Sequence, residues 1–222
     1  MDYHLAGLIS ASFVTLSMSG IALQLRQVLQ RKRRYRQGVL AQGEVTASMS
    51  LNRFFASYYG FYAMLLYGMS LGQFNHYLVW PRVIAVALLT WILFEIRQDR
   101  RSTAAKRCFI LITLLNVAAL ALPFTPLRVD VHDLWLSHLI LLSALTVFIQ
   151  GASHQVWLIR KTHTTGALSF PMHALFAVKD VASLSFAISM GLNEGWPVLV
   201  FHLGSLIFQC IIMYHFHWIR SR

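Results

Sequence analysis

Long apolar runs alternate with short polar segments along the whole chain. A helix needs roughly 20 apolar residues to cross the hydrocarbon core of a bilayer. Seven runs reach or approach that length, at residues 5–28, 54–71, 77–94, 108–124, 134–157, 168–192 and 197–219. The pattern predicts an all-α membrane protein with seven transmembrane helices and no soluble catalytic domain. We expect the first run to be a retained helix, since charge follows it instead of preceding it, and the short fourth run to pack against protein more than lipid.

Composition agrees with a membrane protein, because 57% of the residues are hydrophobic and only 12% are charged. Soluble domains rarely carry so little charge. Cys108 and Cys210 lie inside apolar runs, where free cysteines pack as small hydrophobic residues. The sequence has no phosphate-binding glycine loop, no His-Glu-x-x-His pair and no Cys/His cluster at metal spacing. We therefore expect no cofactor, no bound metal and no enzyme activity.

The formal net charge of +11 is distributed in a way that favours membrane topology over nucleic-acid binding. Basic residues concentrate after helices 1, 3, 5 and 7: Arg26, Arg31, Lys32, Arg33, Arg34 and Arg36; Arg97, Arg100, Arg101, Lys106 and Arg107; Arg160 and Lys161; Arg220 and Arg222. The other connections are poor in them, with Arg128 beside Asp130 and Asp133. The positive-inside rule then predicts an outside N-terminus and a cytoplasmic C-terminus. A bacterial inner membrane and a eukaryotic endomembrane fit this bias equally.

A polar pattern occurs twice along the chain. Gln24 is followed by Thr46-Ala-Ser-Met-Ser50, and Gln155 by Thr165-Gly-Ala-Leu-Ser169. Counting back from each glutamine pairs Ser12 with Ser143, Thr15 with Thr146, Ser19 with Gln150 and Ala22 with Ser153. Counting forward from Thr46 and Thr165 pairs Gly72 with Gly191. The four positions before each glutamine follow one helical face. We interpret that face as shared and solvent-reachable; the alternative is that small residues let helices pack closely in lipid.

The two patterns predict an internal duplication. Residues 1–97 form the first triple-helix repeat, residues 98–133 hold the linker helix 4 with its flanking loops, and residues 134–222 form the second repeat. Because the linker is a single span, both triplets have the same orientation. Parallel repeats of this kind are a recurrent transporter plan, with the substrate site at the repeat interface near the middle of the bilayer.

Residues 155–169 resemble the PQ-loop motif, in which a Pro-Gln pair is followed by apolar residues, a basic turn and Ser/Thr-x-Gly-Leu-Ser. The 3+1+3 plan is similar to SWEET sugar transporters, cystinosin-like transporters and, more distantly, KDEL receptors, and Ala63-Met-Leu-Leu-Tyr-Gly68 resembles the family's second helix. The first repeat differs by a longer loop at residues 31–44. The resemblance implies seven helices and alternating access between two triple-helix bundles.

The resemblance also assigns hinge or gate roles to Gln24, Gln155 and His154. Leu23 and His154 stand where the family has the proline of each Pro-Gln pair, which is thought to act as the hinge. A helix without proline keeps its hydrogen-bond ladder and bends less readily. Either another element provides the gating motion, or this chain does not transport.

The resemblance places Arg82 in helix 3 and His202 in helix 7 at the central cavity, about where SWEET-like proteins carry a sugar-binding asparagine pair. A guanidinium and an imidazole suit a carboxylate or phosphate better than a neutral sugar. As alternatives, Arg82 extends to the outer interface, and His202 is a packed, hydrogen-bonded histidine.

Further polar residues share single faces of helices 6 and 7. His173, Asp180 and Ser183 lie on one face of helix 6, and His202, Ser205 and Gln209 on one face of helix 7. A carboxylate deep in a span exchanges a proton or pairs with a cation, so Asp180 is the best single candidate. Neighbouring residues diverge by roughly 100° around a helix, so we expect Lys179 to pair with another helix or to act on Asp180 electrostatically. The alternative role for Lys179 and Asp180 is a structural ion pair.

We also expect Tyr58, with Tyr59 and Tyr62, either to line the pocket or simply to pack. Together these residues predict a membrane transporter, facilitative or proton-coupled, for a small polar solute that the basic groups allow to be acidic. A non-transporting receptor of this fold, or an accessory subunit of a membrane complex, is the alternative. The expected partners are the solute and the lipid bilayer, and the options beyond them are a second copy of the chain or a membrane partner subunit.

Overall fold

The computed structural model describes residues 2–70, 74–121 and 134–221. These residues form seven α-helices and no strand, so the predicted all-α class is confirmed. The helices are α1 (Tyr3–Arg36), α2 (Leu51–Ser70), α3 (His76–Arg100), α4 (Thr103–Ala121), α5 (Leu134–Thr162), α6 (Phe170–Ser189) and α7 (Leu192–Arg220). Gly72, Arg128, Asp130, Asp133, Arg222 and the side chain of Trp135 lie outside the described residues.

Six of these helices, all except α2, are long and apolar enough to cross a membrane. The structure therefore supports a multi-pass membrane protein. The exception, α2, is rich in tyrosine and carries Arg53 and Ser57, which lower its hydropathy. Most of its side chains are buried among the other helices.

α1 is longer than its apolar run, and the predicted loop at residues 31–44 begins later than expected. The helix continues through the basic run and has Arg33, Arg34 and Arg36 in its last turn. Arginine, lysine and glutamine are good helix formers, and cations stabilise a helix C-terminus. Its 34 residues span about 50 Å at 1.5 Å per residue, which exceeds the roughly 30 Å hydrocarbon core. The last, basic turns of α1 therefore extend beyond that core.

The helices pack in a reciprocal arrangement. α1 lies against α6 and α2 lies against α5, while α3 packs on α1 and α2, and α7 packs on α5 and α6. Among the described residues α4 contacts α3 and, slightly, α2. Only 11% of its apolar window is buried, so the expectation that the fourth run packs mainly against protein is wrong. A helix with so few helical neighbours presents most of its apolar surface to the surroundings.

Two prolines interrupt helices near the same end of the bundle. Pro81 and Pro197 lie inside α3 and α7, each five residues after its helix begins. Proline has no N–H to donate to the carbonyl four residues earlier. In α3 that carbonyl belongs to Tyr77, and the Arg82 Nη1 atom donates to it at 2.9 Å. A side chain thus satisfies a backbone oxygen that the helix leaves free, as a protein surrounded by lipid requires.

Candidate functional site

A small central cavity lies where α2, α3, α5, α6 and α7 meet. It is lined by Ser57, Gly60, Phe61, Met64, Arg82, Phe148, Phe176, Lys179, Phe201, His202 and Ser205. Its volume of about 20 Å³ corresponds to roughly one water molecule. The helices are therefore closed around the cavity, and a larger solute requires them to separate.

α2 provides one wall of the cavity through a single face. Ser57, Gly60, Phe61 and Met64 follow the i, i+3, i+4, i+7 spacing of one helical stripe. A Cβ atom on Gly60 would lie 2.8 Å from the Phe201 ring, closer than carbon atoms pack. Glycine at this position therefore lets the ring of α7 approach the backbone of α2.

Asp180 lies at the centre of a buried polar cluster beside the cavity. Its Oδ1 atom accepts a hydrogen bond from Lys179 Nζ and lies 2.7 Å from His202 Nδ1. All three side chains are buried, and Asp180 Oδ2 has no hydrogen-bond partner. Of the two expectations for Lys179, pairing with Asp180 instead of with another helix is what the structure shows, because the flexible lysine side chain turns back onto its neighbour. Lys179 and Asp180 therefore form an ion pair within α6, between consecutive residues.

Positive charge exceeds negative charge around the cavity. Arg53, Arg82 and Lys179 are each no more than 3% exposed, and Asp180 is the carboxylate that acts electrostatically on all three. The other buried carboxylate among the described residues, Glu95, is paired with Lys32 at 2.6 Å. A buried charge without a partner is costly in a protein interior. The cavity is therefore suited to negatively charged groups.

Arg53 is the important residue that the sequence analysis missed. It directly precedes the apolar run 54–71 and so has the position of an interfacial residue. In the structure its guanidinium lies over the Phe148 ring, 4.2 Å from the ring centre, and Phe148 lines the cavity. Both terminal nitrogens, Nη1 and Nη2, are buried without a hydrogen-bond partner. Its spacing of four residues from Ser57, on the cavity face of α2, is the sequence signal that indicates this position.

The predicted polar faces of α6 and α7 are both buried. His173, Asp180 and Ser183 are shielded on α6, and so are His202, Ser205 and Gln209 on α7. His173 and Gln209 do not line the cavity; His173 Nδ1 lies 2.7 Å from Gln209 Oε1 and links the two helices. The Ser183 hydroxyl lies 3.2 Å from that of Ser10 and links α6 to α1.

Tyr58 lies away from the cavity. Its hydroxyl donates to Asn116 Oδ1 at 2.8 Å and lies 3.2 Å from the Ile112 carbonyl oxygen, both on α4. Tyr62 likewise donates to the Leu115 carbonyl. These tyrosines attach α4 to the bundle, as packing residues do.

The two motif glutamines bind the loops that precede α2 and α6. Gln24 Oε1 accepts from Ser169 N at 2.8 Å, and its Nε2 donates to the Ala167 carbonyl. Gln155 Oε1 accepts from Ser50 N at 2.8 Å, and its Nε2 donates to the Ser48 carbonyl at 3.1 Å. Each glutamine therefore holds the start of a helix in the other half of the chain.

His154 adds a contact at the same place, since its Nδ1 lies 2.7 Å from the Ser50 hydroxyl. This histidine joins α5 to the start of α2. At this position a proline would have no side-chain polar group to offer.

The paired polar stripes of α1 and α5 do not reach the cavity. Their members, Ser12, Thr15, Ser19, Ala22, Ser143, Thr146, Gln150 and Ser153, are exposed. The hydroxyls of Thr15, Ser19 and Thr146 donate to carbonyls of their own helices. Internal bonds of this kind let a hydroxyl face lipid at little cost, so the stripes do not indicate a solute path.

Searches found no matching family model, no similar curated protein and no similar solved structure. Among the residues that the structure describes, no group of three His, Cys, Asp or Glu side chains is arranged to hold a metal ion. The site is therefore characterised by its own geometry, a closed cavity with buried cations at its wall.

Proposed function

We propose that this chain is a membrane transporter for a small acidic solute, working by alternating access between two triple-helix bundles, α1–α3 and α5–α7. The observation that carries the proposal is the excess of buried basic groups at the central cavity. Arg82 and Lys179 line it, Arg53 lies behind its Phe148 wall, and Asp180 is the carboxylate that acts on all three. Ionisable groups inside membrane spans usually mark a substrate or ion pathway.

The two-bundle plan and the PQ-loop relationship are part of the proposal. Support comes from the reciprocal packing of α1 on α6 and α2 on α5, and from the matched hydrogen bonds of Gln24 and Gln155. Basic residues occupy the last turns of α1, α3, α5 and α7. By the positive-inside rule, the end of the bundle that holds these basic turns is cytoplasmic. The N-terminus is then outside, and the chain crosses the membrane seven times.

In this mechanism both bundles contact the solute. Arg53 and Arg82 belong to the first bundle, and Lys179 and His202 to the second, so an anion between them binds both. Asp180 holds Lys179 and His202 in place. A proton that enters with the solute is taken up by the Asp180–His202 pair in the proton-coupled form; a facilitator omits this step. Pro81 and Pro197 supply the bending points that Leu23 and His154 do not.

Uptake by reconstituted protein tests the proposal. Proteoliposomes preloaded with a small carboxylic acid or phosphate would be tested for counterflow of the same labelled compound. We expect counterflow by the wild type and at least about a tenfold lower rate for Asp180→Asn and His202→Ala, a loss of roughly 1.4 kcal/mol. Gln150→Ala, on the exposed face of α5, is the matched control and keeps the wild-type rate. Wild-type rates in both cavity variants would remove the roles assigned to Asp180 and His202.

The second candidate is a receptor that binds an acidic ligand without carrying it across the membrane. The helices α1 and α5 favour this candidate, because they carry Leu23 and His154 where a hinge proline is expected and contain no internal proline. A receptor needs access to the cavity from one side only. Measuring access from each side therefore separates the two candidates.

A further inference from the structure

We propose that the central cavity selects a short dicarboxylic acid over a monocarboxylic acid of the same chain length. This inference rests on the proposed function and specifies its solute. Three kinds of observation support it: the charge balance, the unsatisfied donors and the apolar wall between them.

The charge balance requires two negative charges. Arg53, Arg82 and Lys179 are three buried basic groups, and Asp180 is the buried acidic group that acts on all of them. A monoanion leaves one buried cation without a counterion, whereas a dianion neutralises the site. Because an unpaired charge in a protein interior is costly, the site discriminates by charge.

The unsatisfied donors lie on two separate arginines. Arg53 Nη1 and Nη2 and Arg82 Nε are buried and have no hydrogen-bond partner. A guanidinium presents its N–H groups in a fork that matches a carboxylate. Lys179, by contrast, already donates to Asp180. Each arginine therefore has at least one buried donor available to a ligand, in addition to the cavity-lining His202 Nε2 atom, which has no partner either.

The backbones of these arginines lie at different depths in the bundle. Gly68 of α2 packs against Leu78 and Val79 of α3, and Arg82, one turn deeper, lines the cavity beside Met64. The Arg53 backbone lies eleven positions before that of Met64 on α2, but its guanidinium lies over the ring of Phe148 at the cavity wall. Asp180 acts electrostatically on both arginines. Two guanidiniums beside one buried carboxylate suit an anion with two carboxylate groups more than a compact phosphate.

The cavity wall beside the two arginines is apolar. Phe61, Phe148, Phe176 and Phe201 all line the cavity, and their rings can cover the methylene groups of a short chain. Charged ends joined by an apolar middle are the chemistry of a short dicarboxylic acid. The closed cavity holds about one water, so such a ligand binds after the two bundles move apart.

The test compares binding of succinate, butyrate and inorganic phosphate to purified protein, by calorimetry at about pH 7.5, far above the pKa of carboxyl groups. We expect succinate to bind at least about tenfold more tightly than butyrate or phosphate. Arg53→Gln reduces that preference to about twofold, while Arg53→Lys, which keeps the charge, retains most of it. Arg33→Gln removes the same charge from an exposed site at the end of α1 and leaves the preference unchanged.

Equal affinity for succinate and butyrate, tighter binding of phosphate, or an unchanged preference in Arg53→Gln would each overturn the inference. A thermal melt of every variant shows whether it is folded. The results also distinguish a failure of the dicarboxylate inference from a failure of the proposed transport function. Counterflow of butyrate without a preference for succinate contradicts the dicarboxylate inference but supports transport. Tight binding of succinate without counterflow of any solute contradicts transport but supports the dicarboxylate site.

Discussion

Gln24 of α1 and Gln155 of α5 make the same pair of hydrogen bonds in opposite directions across the molecule. Gln24 accepts from Ser169 N, and Gln155 accepts from Ser50 N, each at 2.8 Å. Each amide nitrogen donates to the carbonyl two residues before that serine. Both glutamines are fully buried. The two halves of the chain are thus joined at one end by matched polar contacts.

Removing either glutamine should destabilise the protein. Gln24→Ala and Gln155→Ala each leave a buried backbone N–H and a buried carbonyl without a partner, at a cost of about 1–3 kcal/mol. Thermal or denaturant unfolding in detergent micelles would measure this loss. Gln150→Ala removes an exposed glutamine from α5 and should change stability by less than about 0.5 kcal/mol. If all three variants unfold alike, the two glutamines do not hold the halves together.

Asp180→Asn should be strongly destabilising, because it leaves Lys179 and two arginines buried without their counterion. Breaking a buried ion pair by removing one partner typically costs about 3–5 kcal/mol. Replacing both members, in Lys179→Met with Asp180→Asn, should cost less than Asp180→Asn alone. A double-mutant cycle in unfolding free energy measures this coupling. Additive losses would contradict a direct interaction between the two side chains.

Pro81→Ala and Pro197→Ala should slow transport without weakening solute binding. Each substitution returns an N–H to an interrupted helix, so α3 and α7 become stiffer. Counterflow rates should fall several-fold while the dissociation constant stays the same. Pro171 lies at the first turn of α6, where no helix hydrogen bond is lost, so Pro171→Ala is the control. Unchanged rates in both variants would exclude these prolines as hinges.

Tyr58→Phe should lower stability by about 1 kcal/mol through the hydrogen bonds lost to α4. Solute affinity should stay the same, because the Tyr58 hydroxyl lies on the α4 side of α2. Calorimetric binding of the variant and the wild type checks this. A substantial change in affinity would place Tyr58 in the binding site after all.

The sequence predicts the helices well because apolar runs and helix ends are local properties of the chain. It also singles out Asp180 and His202, since ionisable residues inside apolar runs are costly and need partners. Gln24 and Gln155 are indicated by the polar pattern that occurs twice along the chain. Side-chain direction is less local. Lys179 turns back onto its neighbour because both charges are buried together. Helical spacing alone does not predict that contact.

Burial of residues at helix ends depends on how the helices pack, which the sequence pattern does not contain. Arg53 looks interfacial in the sequence but becomes buried where α5 lies against α2. Tyr58 resembles a pocket residue until α4 is seen to pack on that side of α2. In both cases the deciding fact is which helices become neighbours.

Access to the cavity from each side of the membrane tests the central claim most directly. Ser205 lines the cavity, so Ser205→Cys introduces a thiol there after Cys108 and Cys210 are replaced by alanine. Membrane-impermeant thiol reagents would be added separately to the two sides of oriented vesicles. A transporter predicts labelling from both sides, with each rate lowered by bound solute. Labelling from one side only, however long the exposure, would contradict alternating access and identify the protein as a receptor.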